Sequence, residues 1–149
     1  MKIGTAMLTL ILISLSPSFA SSRAEVRNMF EKRQSGKAHT PPKGSAERKA
    51  ILDALRAEMK RLHQADFIFT VNYIKVQQGW GWIEVAPKSA DGNSNFENVS
   101  ALMRKHGKRW DVAQIACAEE GNPECLGDPN FFKNLRTKFP NAPKAIFPK

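Results

Sequence analysis

The chain has 149 residues with 23 Lys+Arg against 14 Asp+Glu, a formal net charge of +9. That length supports one domain around one ordinary core and excludes two. The charge favours solubility and attraction to anionic partners but says nothing about fold.

Residues 1–20 read as a secretory signal peptide. Met1 and Lys2 lead into an apolar run from Met7 to Leu15, and Ser18-Phe19-Ala20 places small residues where a signal peptidase reads. The run is too short to span a bilayer. Cleavage after Ala20 is expected, leaving a soluble periplasmic or secreted protein with no later transmembrane segment. Anionic membrane surfaces, wall polyanions and acidic envelope proteins are then the candidate partners. Nucleic acid is not expected as a partner in that compartment.

Residues 21–44 read as a basic flexible tether. Arg23, Arg27, Lys32, Arg33, Lys37 and Lys43 are spread among few large apolar residues, and Gly36, Pro41, Pro42 and Gly44 break regular structure. A single α+β domain is expected over residues 45–149.

It opens with a long helix. Ser45 is a good N-cap and Glu47 suits the first turn. Ile51, Leu52, Leu55, Met59 and Leu62 follow at helical spacing to an end near His63 or Gln64. Asp53, Arg56, Lys60 and Arg61 belong to the solvated side.

Phe67, Phe69, Val71 and Tyr73 then alternate with Ile68, Thr70, Asn72 and Ile74, the period of a strand. Gln77-Gln78-Gly79 predicts a turn, and Trp80 to Ala86 a second strand that Pro87 stops. Lys88 to Asn98, with Asp91-Gly92, is a loop. Val99 to Lys105 and Arg109 to Cys117 form a second hairpin around His106-Gly107-Lys108. The order predicts a four-stranded antiparallel meander with the helix on one face.

Cys117 and Cys125 bracket a polar Gly/Asn/Pro segment, and an even count in an oxidising compartment predicts one disulfide. A metal site would need more ligands than these, and no histidine is near them in sequence. Asp128 and Pro129 predict the start of a short C-terminal helix with Phe131, Phe132 and Leu135 on its apolar side. Lys133, Arg136 and Lys138 form the polar side. Pro140, Pro143 and Pro148 forbid further helix, and Ala145-Ile146-Phe147 is expected to pack back as an extended segment.

Catalytic motifs are missing from the sequence: there is no nucleophile elbow, zinc-protease helix or phosphate-cradling glycine loop. No cofactor is implied. His39 lies in the tether, His63 at a helix end where the dipole favours it, and His106 beside a hairpin turn, and none of the three is expected to catalyse. Asp66, Glu84 and Asp111 lie on or beside strands, and a curved sheet bringing two of them together would allow glycoside hydrolysis. The most distinctive local feature is Gly79-Trp80-Gly81-Trp82, which places two large rings on one side of a strand. Packing beneath the long helix, with Trp110 and the Phe67/Phe69 face, is expected for Trp82. Trp80, at the strand start, is the candidate for exposure and ligand contact. Arg109 joins these two as a candidate binding residue.

From Pro41 to Phe147 the chain resembles a group of small exported bacterial proteins of unsettled function. The resemblance rests on Pro41-Pro42, Gly44-Ser45, Glu47-Arg48 and Ala50-Ile51-Leu52-Asp53-Ala54-Leu55-Arg56. It continues through the Trp80/Trp82 strand, Asp91-Gly92, Val99 to Met103, Arg109-Trp110-Asp111-Val112 and Ala142 to Phe147. It carries no catalytic residues, and the Cys117/Cys125 pair departs from it. The order of helix then meander is also similar to cystatin-like and nuclear-transport-factor-like architectures. Together these readings imply a non-catalytic binding module, in concrete form an inhibitor or immunity-type protein acting on an envelope enzyme. The alternatives are a small envelope hydrolase using sheet carboxylates and a surface-association factor working through the basic arm.

Overall fold

The computed structural model describes residues 36–149. The expected signal peptide and residues 21–35 of the expected arm lie outside the described residues. Helix α1 (Ala46–His63) is followed by strands β1 (Phe67–Gln77), β2 (Trp80–Ser89), β3 (Val99–His106) and β4 (Arg109–Ile115). A short helix α2 (Phe131–Lys138) and a 3-10 turn (Lys144–Ile146) complete the chain. The strands pair antiparallel in the order β1-β2-β3-β4, so the protein is α+β with a four-stranded meander.

Helix α1 begins and ends where its caps dictate. Ser45 Oγ accepts the Arg48 N–H at 3.2 Å, satisfying a first-turn donor. Gln64 adopts the left-handed conformation at φ 55°, and its N–H donates to the Lys60 carbonyl. Ile51, Leu55 and Met59 are buried against the sheet, but Leu62 is 48% exposed. The i+4 row continues instead to His63, whose ring meets the edge of Phe67 at 5.9 Å.

Two irregularities decide which residues face α1. The register between β1 and β2 shifts between Val71 and Tyr73, leaving Asn72 as the extra residue of a bulge. Phe67, Phe69 and Val71 therefore share the α1 face with Ile74 and Val76, while Tyr73 turns to the opposite face. A second shift, between Leu102 and Met103, lets Trp110, Val112 and Ile115 face α1 while Ala113 does not. Strict alternation had grouped Tyr73 with Phe67; the bulge separates them.

Pro87 does not stop β2. The strand continues to Ser89, with Pro87 opposite Phe69. The Pro87 carbonyl accepts from Phe96 N–H on the side away from β1, beyond the last β3 partner at Val85. The missing N–H of Pro87 faces that same side, where no strand needs it. The β1–β2 turn has Gln78 and Gly79 both at positive φ, as a two-residue type I′ hairpin requires.

The sheet is covered on both faces. On the face away from α1, Trp80, Trp82 and Leu102 pack beneath Phe131, Leu135, Ala142, Ile146 and Phe147. Trp82 therefore lies opposite α1, not beneath it, and Trp110 lies on the other side of the sheet. Asp128 forms the turn before α2 rather than its first cap: its Oδ1 accepts from Asn130 N–H and its carbonyl from Phe131 N–H. The segment expected to be extended at Ala145 is a 3-10 turn, with Ile146 and Phe147 buried as anticipated.

Of residues 36–44, placed by the sequence in the arm, the stretch from Gly36 to Thr40 lies against β1. His39 exchanges two backbone hydrogen bonds with Val76, at 2.9 and 2.8 Å. Thr40 Oγ1 donates to the Ile74 carbonyl, and the Pro41 carbonyl accepts from Arg48. His39 Nε2 lies 2.9 Å from Glu47 Oε2.

Candidate functional site

The residues singled out by sequence are not gathered into one site. Trp82 is 1% exposed, surrounded by Phe131, Phe132 and Phe147, and its indole N–H donates to Glu84 Oε1 at 3.0 Å. Trp80 is 9% exposed, with Phe139 against it and the Arg104 guanidinium 5.7 Å from its ring centroid. The expected exposure of Trp80 is thus overturned. The segment after β4 folds back over this face and roofs both indoles. Arg109 is exposed beside the β3–β4 turn, its Nε 3.1 Å from Asp111 Oδ1.

The three carboxylates considered for catalysis stay apart. Asp66 pairs with Lys60 at 2.9 Å, Glu84 holds the Trp82 indole, and Asp111 pairs with Arg109. Asp111 is opposite Arg104 and Glu84 opposite Ser100, which separates them by about 13 Å along the strands alone. Two-carboxylate glycoside hydrolysis works at roughly 5–9.5 Å. Among the described residues no cluster of His, Cys, Asp or Glu is arranged to hold a metal ion. Cys117 and Cys125 are joined in a disulfide, with their Cα atoms 4.6 Å apart.

A different place has the form of a binding site. A groove of about 790 Å³ runs between β1, α2 and the chain after it, lined by Ala38, Lys75, Phe132, Lys133, Arg136, Lys144, Ala145, Phe147, Pro148 and Lys149. Its size falls within the range of small-molecule and peptide-anchor pockets.

Local chemistry explains how it is built. Lys133 and Arg136 stand three apart on α2 and so share a face. Beyond α2 the prolines forbid more helix, and the chain turns back through an Ala142 N–H bond to the Phe139 carbonyl. The Tyr73 hydroxyl donates to the Ile146 carbonyl at 3.0 Å and ties this return to β1. Phe147 is thereby wedged between Trp82, at 5.5 Å, and Phe132, at 5.0 Å, and forms the floor of the groove. Lys75 lies opposite Trp82 on β1 and reaches the rim.

Every charged side chain lining the groove is cationic. Among the described residues none of Lys75, Lys133, Arg136, Lys144 and Lys149 has a carboxylate in ion-pair contact. The sequence carried a signal for this that periodicity overlooks: after Asp128 the chain has no Asp or Glu. Reading Lys133 and Arg136 as an ordinary solvated helix face missed it, because Lys75 and Phe147 reach the same groove only through the tertiary fold.

No protein-family model, curated protein or solved structure matches this chain. Among the described residues no helix is long and apolar enough to cross a membrane.

Proposed function

We propose that this protein is an exported, periplasmic or secreted binding module that works by recognition rather than catalysis and receives an anionic partner in the groove. The observation that carries the reading is the groove's lining, in which Lys75, Lys133, Arg136, Lys144 and Lys149 are the charged side chains beside Phe132 and Phe147. Cations without carboxylate partners, next to apolar surface, favour a ligand that is both anionic and partly apolar. The signal-peptide pattern of residues 1–20 and the disulfide support an oxidising compartment outside the cytoplasm. An inhibitor or immunity-type protein, presenting this groove to an envelope enzyme, is the concrete form of the proposal.

Titrating 4-phenylbutyrate, an aromatic body with one carboxylate, into isotope-labelled protein tests it by amide chemical shifts. The expected shifts fall on Lys75 and on residues 132–149 and shrink as salt is raised. Shifts absent there, or scattered over the α1 face, would remove the groove as the functional site.

A further inference from the structure

We propose that the groove recognises an acidic segment of a partner protein, one in which an aromatic side chain stands between carboxylates. This rests on the groove being the binding site, and it adds the class of partner. The number and spread of the cations carry the argument. Lys75 comes from β1, Lys133 and Arg136 from α2, and Lys144 and Lys149 from the chain beyond it, so the positive charge is contributed by three separate segments and not by one cluster in sequence. A single carboxylate offers two oxygens to five cations and cannot pair with all of them. A peptide with several carboxylates answers all of them, and its extended backbone spaces them along the groove.

The floor separates this partner from other anions. Phe147 is 6% exposed and recessed beneath the rim, held edge-on to Trp82 at 5.5 Å. With so little of the Phe147 ring exposed, a flat membrane surface gains little contact with it and a nucleobase has little ring face to stack on. A side chain projecting from a peptide can enter.

The test compares fluorescein-labelled peptides by anisotropy on the whole chain. One alternates glutamate with phenylalanine, a second has serine in place of phenylalanine, and a third has glutamine in place of glutamate. The first should bind at least about tenfold more tightly than either of the others, a difference of about 1.4 kcal/mol. Its affinity should fall as salt rises. The double variant Lys133→Glu/Arg136→Glu should lose that binding. Ala145→Trp, which fills the groove at an exposed position without changing charge, should lose it too. Circular dichroism shows whether each variant is folded, and either folded variant alone decides the point.

Equal affinity for the three peptides would overturn the proposal, as would undiminished binding by a folded groove variant. Tighter binding of a single-stranded oligonucleotide or of phosphatidylglycerol vesicles would also overturn it. Self-association abolished by Lys133→Glu/Arg136→Glu would give the groove to a second copy of the chain and overturn it as well. If 4-phenylbutyrate occupies the groove while the alternating peptide binds no better than its controls, the partner class fails and the binding-module reading stands. If neither ligand binds, both fail.

Discussion

Tyr73 shows how much one side chain can depend on a bulge. The extra residue at Asn72 turns its ring away from α1 and toward the tail, where its hydroxyl donates to the Ile146 carbonyl at 3.0 Å. Burial, and secondarily the Glu84 carboxylate, push the phenol above its ordinary value of 10.0. The unfolded chain therefore releases this proton at lower pH than the folded one. The contribution to stability is complete below about pH 10 and is lost as pH rises through the folded value. Tyr73→Phe should cost about 1 kcal/mol at neutral pH, since the Ile146 carbonyl loses its donor. It should also flatten part of the alkaline decline, and urea denaturation at neutral pH and above pH 10 measures both effects. Parallel alkaline declines in the two proteins would show that Tyr73 is not a source of the loss. Trp80 gives the converse lesson. Its place at the start of a strand suggested exposure, yet what covers it, Phe139, comes from a part of the chain that no local pattern connects to it.

At the scale of elements, α1 was legible because its determinants are local. Ser45, the i+4 row and the basic last turn all act within the helix itself. Leu55 is fully buried, so Leu55→Ala should cost about 2–5 kcal/mol, and Leu62→Ala should stay within about 0.5 kcal/mol because Leu62 is half exposed. Chemical denaturation of the two variants checks this. Similar costs at both positions would mean that the last turn of α1 packs more closely than its exposure indicates. Strand existence and order were equally readable from the two-residue period and the turn residues. The α1 face of the sheet was not, because the two bulges reverse the alternation partway along β1 and β4. Nothing local in Val71-Asn72-Tyr73 separates an even strand from a bulged one. Pro87 is misleading for the same kind of reason: whether a missing N–H ends a strand depends on whether a neighbour stands on that side. The groove was legible only as an acid-free run after Asp128, and its phenylalanine floor appears once Phe147 meets Trp82 across the sheet.

The whole molecule is one sheet serving two cores. On one face Ile51 and Leu55 of α1 pack on Ile83, Val85 and Met103; on the other, Trp82 and Leu102 are covered by Phe131 from a helix of 8 residues and by Ile146 from the tail. A helix so short, with no side-chain cap at Asn130, has little stability of its own and relies on what it packs against. The disulfide holds the approach to it. Cys117 follows β4, Cys125 is buried, and Leu126 N–H donates to the Cys117 carbonyl at 2.8 Å. Replacing both cysteines by serine should cost about 2.5 kcal/mol in the chain-entropy account of so small a loop. The two faces should not share this loss equally. The bridge constrains the chain leading into α2, whereas α1 and the β2–β3 pairing are joined by contacts that do not pass through it. Hydrogen exchange should therefore quicken in α2 and around Ile146 while β2 and β3 amides keep more of their protection. The groove, built from the same segment, should then lose affinity for its ligand although α1 remains in place. Uniform acceleration over both faces would instead show that the two cores open as a single cooperative unit, with the disulfide stabilising the sheet as much as the segment that covers it.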